Sequence, residues 1–165
     1  MSEIQTNLRV LKPSRKKPRE GDVFAMQLVD QFLFGRVIST EARWALGQGA
    51  DPAVLIYIYH DPSTEKDVPE RSSLRPDRLL VPPVMTNKLP WSRGYFETLT
   101  NITLESDEVL AQHCFLSASR GRYFDENGAD LGGGVEPVGD YGLHSYRTID
   151  DQLSHALGIP LAPES

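Results

Sequence analysis

Residues 20–39, EGDVFAMQLVDQFLFGRVIS, constrain this chain more than any other stretch. Two apolar runs, Val23 to Val29 and Phe32 to Ser39, flank a polar break at Asp30-Gln31. Both runs are rich in β-branched and aromatic residues, the composition of paired strands, so the pattern predicts a β-hairpin. Alternate residues of a strand share a face. Phe24, Met26 and Leu28 therefore fall together, and so do Phe32, Phe34 and Ile38. Arg36 sits on the side of Phe34 and Ile38 and interrupts that alternation. The expectation is a strand-edge position with its guanidinium in water. Gly35 suggests a bulge or the close approach of another backbone.

A second strong strand follows at residues 53–60, AVLIYIYH. Val54, Ile56 and Ile58 alternate with Leu55, Tyr57 and Tyr59, so both faces are apolar or aromatic and a central position in a sheet is expected. Residues 61–78 read as a charged surface loop with a helical turn near Ser72 to Leu74. An edge strand is expected over 79–84, ending at Pro82-Pro83, which cannot donate ladder hydrogen bonds. Further strands are expected over 94–99, 109–117 and 141–146, with a flexible loop at 132–139. Near the end, Thr148 can cap a helix whose Ile149, Leu153, Ala156 and Leu157 form one stripe. Gly158 and Pro160 stop it. One body over residues 20–160 is expected, between an irregular basic leader (1–19) and a short tail (161–165).

Charge is unevenly spread. Residues 1–19 carry +5 and residues 20–165 carry −11, giving the net −6. So acidic a body disfavours nucleic acid and favours basic partners. The leader reads as a solvated terminus. No apolar run reaches the roughly 20 residues of a membrane span, and the start of the chain lacks a signal-peptide core. The single cysteine, Cys114, excludes an internal disulfide and suits a reducing cytoplasm.

No constellation for catalysis emerges. His60, His113, His144 and His155 have no metal-binding spacing, so no metal or cofactor is expected. Cys114 follows His113, but neighbours on a strand point to opposite faces, so the thiol reads as an inert core residue. Asp107-Glu108 and Asp125-Glu126 read as solvated turn carboxylates, and Gly132 to Gly134 lack the Lys-Ser/Thr of a phosphate loop. Trp44, in the connector 40–52, reads either as a plug over one end of the sheet or as an exposed anchor for a partner.

Three segments resemble a known family. Lys17 to Ile38, KPREGDVFAMQLVDQFLFGRVI, is similar to the opening of the bacterial immunity protein 26 family, with its G-D-V-F strand and G-R-V partner strand. Pro90 to Leu99, PWSRGYFETL, and Tyr141 to Pro160 resemble later parts of its longer members. The resemblance implies an α+β fold: a strongly bent antiparallel sheet, SH3-like if it closes into a barrel, with the C-terminal helix packed on it. It also implies a cytoplasmic, noncatalytic protein that neutralises a cognate toxin domain of a polymorphic toxin system. A basic nuclease toxin would suit the acidic body. The expected contact residues are Trp44, Tyr57, Tyr59, Asp61, Trp91 and Arg93. The G-D-V-F and G-R-V pair is similar, too, to toxin endoribonucleases of the MazF type, in which Arg36 would be the first suspect for RNA cleavage. An adaptor module unrelated to toxins is the third reading.

Overall fold

The hairpin forms as strands β1 (Asp22–Leu28) and β2 (Gln31–Ala42). The computed structural model describes residues 5–45 and 50–163; Gly47 and Gly49 of the connector lie outside them. The last hairpin pair is Leu28 with Gln31, so the turn residues are Val29-Asp30 and not Asp30-Gln31. Val29 takes the left-handed conformation, with φ 54°. A β-branched residue rarely adopts it.

β2 pairs with β3 (Ala53–Ile58), and β3 with β4 (Val84–Thr86). On the other side β1 pairs with β5 (Glu97–Asn101). The order is β4-β3-β2-β1-β5, antiparallel throughout, and the two end strands do not meet, so the sheet stays open. A second sheet places β6 (Cys114–Ser117) between β7 (Arg122–Phe124), antiparallel, and β8 (Val138–Asp140), parallel. Among the described residues two α-helices complete the fold: the single turn α1 (Leu89–Ser92) and the C-terminal α2 (Tyr146–Leu157).

The large sheet has a core on each face. On one, Phe24, Met26, Leu33 and Ile56 meet Trp91 and Phe96 near α1, with Ile149 and Leu153 of α2. Phe24 stacks on Phe96 at 4.6 Å and meets Trp91 edge-on at 5.2 Å. On the other face, Val23, Ile38, Leu55, Tyr57 and Tyr59 pack with Met85 of β4 and against Phe115 of the small sheet. β3 supplies Val54, Ile56 and Ile58 to the first core and Leu55 and Tyr57 from its far face to the second, which Tyr59, just past the strand, joins, as the alternation predicts. Gly35 is required where β2 passes beneath Phe24: a Cβ there would sit 2.7 Å from the carbonyl of Tyr57 and collide with the Phe24 ring.

Several boundaries differ from the sequence reading. The edge strand begins at Val84, after the prolines. The strand expected over 109–117 starts only at Cys114, because the Leu110 N–H is drawn to the Tyr57 hydroxyl. β8 forms within the glycine-rich loop. In place of a strand over 141–146, a lone bridge joins His144 to Thr86. α2 starts three residues early: Ser145, not Thr148, is its cap and accepts the Thr148 N–H at 3.2 Å, while Gly158 ends it at φ 71°.

The leader is irregular but not solvated along its length. Leu8 is buried and bridges to Leu28, extending the sheet beside β1. The N–H groups of Asn7 and Leu8 donate to the Asp150 carboxylate of α2 at 3.1 and 2.7 Å. Farther on, Leu11 N–H donates to the Gly94 carbonyl at 2.7 Å, and Ser14 N–H to that of Trp91 at 3.0 Å.

Candidate functional site

The layer between the two sheets is where polar side chains converge. Arg36 is fully buried, contrary to the strand-edge expectation. Its Nη2 donates to the Ile102 carbonyl at 2.6 Å. Its Nη1 lies 3.2 Å from Glu108 Oε2, an ion-pair contact without hydrogen-bond alignment. Glu108 is buried too, where the sequence suggested a solvated turn residue. A short 3-10 turn (Ser106–Glu108) carries it inward, and its carboxylate accepts the N–H of Glu105 at 2.9 Å. Arg71, from a second 3-10 turn (Arg71–Ser73), closes over it with Nε and Nη2 at 2.8 and 2.7 Å. Such a two-pronged guanidinium contact is among the stronger charge-assisted bonds. The Arg71 bonds, then the Glu105 N–H and Arg36, hold Glu108 down to about 2 against the opposing pull of burial.

A relay lies beside it. Tyr57 Oη accepts the Leu110 N–H at 3.0 Å and pairs with His113 Nε2 at 2.6 Å, while His113 Nδ1 meets Glu126 Oε2 at 2.6 Å. With the imidazole proton on Nδ1, every atom finds a partner: tyrosine donates to Nε2 and Nδ1–H donates to the carboxylate. The His113 hydrogen bond lowers Glu126 below the usual carboxylate range. Tyrosine, histidine and glutamate in series copy the order of nucleophile, base and orienter. The tyrosine is wholly buried, however, and burial pushes it up to about 12, so at neutral pH the hydroxyl is a poor nucleophile held away from any substrate. Burial likewise raises Tyr59, whose hydroxyl has no hydrogen-bond partner among the described residues. Cys114 and His113 do not form a dyad, since the sulfur accepts the Val135 N–H at 3.4 Å and the imidazole turns to Tyr57. Among the described residues, no group of three His, Cys, Asp or Glu could hold a metal ion.

The six expected contact residues are not brought together. Tyr57, Tyr59 and Trp91 are core residues, exposed by 0, 1 and 2 %. The alternation of the two tyrosines with aliphatic neighbours signalled strand geometry, and both strand faces are covered, while Trp91 is turned inward from α1. Trp44 is half-buried just beyond β2, packs at the margin of the second core and donates its indole N–H to the Asp51 carbonyl at 3.0 Å. That fits the plug reading. Asp61 is half-buried beyond the opposite end of β3, and Arg93 is exposed after α1. The buried Arg36 offers no guanidinium to an RNA phosphate, which removes the residue on which the ribonuclease reading leaned.

Concave surface occurs elsewhere. A cleft of about 310 Å³ opens between Leu80 to Val84, β8 and α2, with His144, His155 and Gln152 among its walls. His144 Nε2 faces the Asp140 carbonyl at 3.2 Å, and Gln152 Nε2 faces its Nδ1 at 3.4 Å.

Sheet, helix and inward-turned polar layer together describe an α+β scaffold that spends its buried ionisable groups on its own architecture. The chain belongs to the immunity protein 26 family, whose model matches residues 19–123. The match takes in β1 to β6 and most of β7, including Arg36, Tyr57, Arg71, Glu108 and His113, and ends before β8 and α2. No curated protein and no solved structure matches the chain. No helix among the described residues is long and apolar enough to cross a membrane.

Proposed function

We propose that this protein is a cytoplasmic antidote that binds a cognate toxin domain of a polymorphic toxin system and blocks it by covering its active site. The observation that carries this reading is membership of the immunity protein 26 family. The architecture is compatible with it. Two cores sharing one sheet make a stiff platform, and a preorganised surface loses little conformational freedom on binding. Blocking by occlusion requires no chemistry of the protein's own. The buried Tyr57 and His113, with the half-buried Glu126, then serve to fix the inter-sheet loops.

Co-expression tests the proposal. With the toxin domain encoded by the adjacent gene, this chain should restore growth and co-purify with the toxin. Toxicity unchanged in its presence, with no complex recovered, overturns the reading. Expressed alone it should leave growth and cellular RNA intact; growth arrest with RNA cleavage would point instead to a ribonuclease.

A further inference from the structure

The acidic balance of the chain conceals a fixed basic strip. Asn7 and Leu8 are tied to Asp150, Leu11 and Lys12 to the Gly94 carbonyl at 2.7 and 3.3 Å, and Ser14 to the Trp91 carbonyl. These bonds lay the leader across the end of α1. Arg9, Lys12, Arg15, Lys16, Lys17 and Arg19 all point into solvent from it. Lys88 and Arg93, which flank α1, are exposed as well. Of these eight cations only Arg19 has a carboxylate within ion-pair reach among the described residues, Asp22 at 3.9 Å. Of the nine cations elsewhere, Arg36, Lys66, Arg71, Arg75 and Arg122 pair with acids, while Arg43, Arg78, Arg120 and Arg147 are scattered and have no such partner among the described residues. Two aliphatic side chains stand in the strip: Val10, 58 % exposed, between Arg9 and Lys12, and Leu89, 36 % exposed, beside Lys88.

We infer that the leader and α1 form the toxin-docking face and that it takes an acidic protein surface with apolar residues set into it. The inference rests on the antidote reading. It reverses the expected polarity of contact, in which the acidic body would meet a basic toxin; of the four aromatics expected to anchor that acidic face, Tyr57, Tyr59 and Trp91 are buried and Trp44 is half-buried. Unpaired cations beside exposed aliphatic groups complement acidic groups around an apolar patch. A protein is favoured over nucleic acid because Val10 and Leu89 offer no ring for base stacking and the chain as a whole is at −6.

The test titrates the full-length chain against a catalytically inactivated form of the adjacent-gene toxin domain at low and moderate salt. Two charge-matched variants are compared, Lys12→Glu with Arg15→Glu on the strip and Arg43→Glu with Arg78→Glu away from it. All four residues are exposed, and unchanged circular-dichroism melts confirm folding. The strip variant should bind at least about tenfold more weakly and lose most of its salt dependence, and the control should change about twofold or less. Toxin affinity unchanged in the strip variant, or lowered equally in both, overturns the inference alone. A DNA duplex of about 20 base pairs is titrated in parallel. Duplex binding lost from the strip variant with toxin affinity intact reassigns the face to nucleic acid and overturns it as well. A wild-type chain that neither binds nor protects overturns the antidote reading and this inference together.

Discussion

Glu108 is the residue on which the inter-sheet layer turns. It answers the buried charge of Arg36 and holds Arg71 over it. Removing one partner of a buried pair leaves the other uncompensated, at a cost of about 3–5 kcal/mol. Glu108→Gln should therefore lower the unfolding free energy at pH 7 by about 3 kcal/mol in urea titrations. The pH response follows from the same contacts. The folded-state value near 2 lies below the ordinary 4.5, so the carboxylate contributes fully above pH 4.5 and loses that contribution as pH falls through 2. The Gln variant should show a flatter stability profile over that window; a profile parallel to wild type would mean that the pair contributes nothing. Tyr57 has a different role. Tyr57→Phe leaves the Leu110 N–H and His113 Nε2 without their partner and should cost about 1–3 kcal/mol by thermal melt, although the ring still packs.

At the scale of elements, the hairpin turn and the leader invite opposite interventions. Val29 is 52 % exposed, so its side chain contributes little packing, yet its left-handed backbone costs about 1–2 kcal/mol. Asparagine tolerates that conformation without the added unfolded-state freedom of glycine. Val29→Asn should raise stability by about 1 kcal/mol, read as a higher melting temperature. The leader hangs on Asp150. Asp150→Ala orphans the N–H groups of Asn7 and Leu8, and trypsin should then cut after Arg9 faster than in wild type. Burial raises Asp150 above the usual range, opposite to Glu108. Its ionisation costs stability, and that cost is relieved as pH falls through its folded-state value. None of this tether is visible in the sequence. A backbone N–H meeting a carboxylate from the far end of the chain leaves no periodicity, and the basic composition suggested only a solvated tail.

For the whole molecule, legibility followed the same boundary. The alternation in residues 53–60 reported a central strand but not that its tyrosine face is covered, and the stripe of Ile149 and Leu153 reported the helix that covers the other face. The second sheet was half hidden because β7 and β8 have three residues each, too few for a pattern, and β8 lies among glycines. Arg36 was misread because a charge in a strand normally signals an edge; only the distant loop carrying Glu108 makes its burial tolerable. The resulting architecture has two cores that share β3, every residue of which is buried. Shared strands couple cores, so the helix side and the small-sheet side should unfold together. Leu153→Ala empties space on the first face and Phe115→Ala on the second, each at about 2–5 kcal/mol. Both variants should move one transition to lower denaturant, with far-ultraviolet circular dichroism and tryptophan fluorescence still superimposable. Trp91 reports the first core and Trp44 the margin of the second, so two units would separate the signals in at least one variant. Coincident curves would also make α2, which lies beyond the family match, part of the same cooperative body as the strands within it.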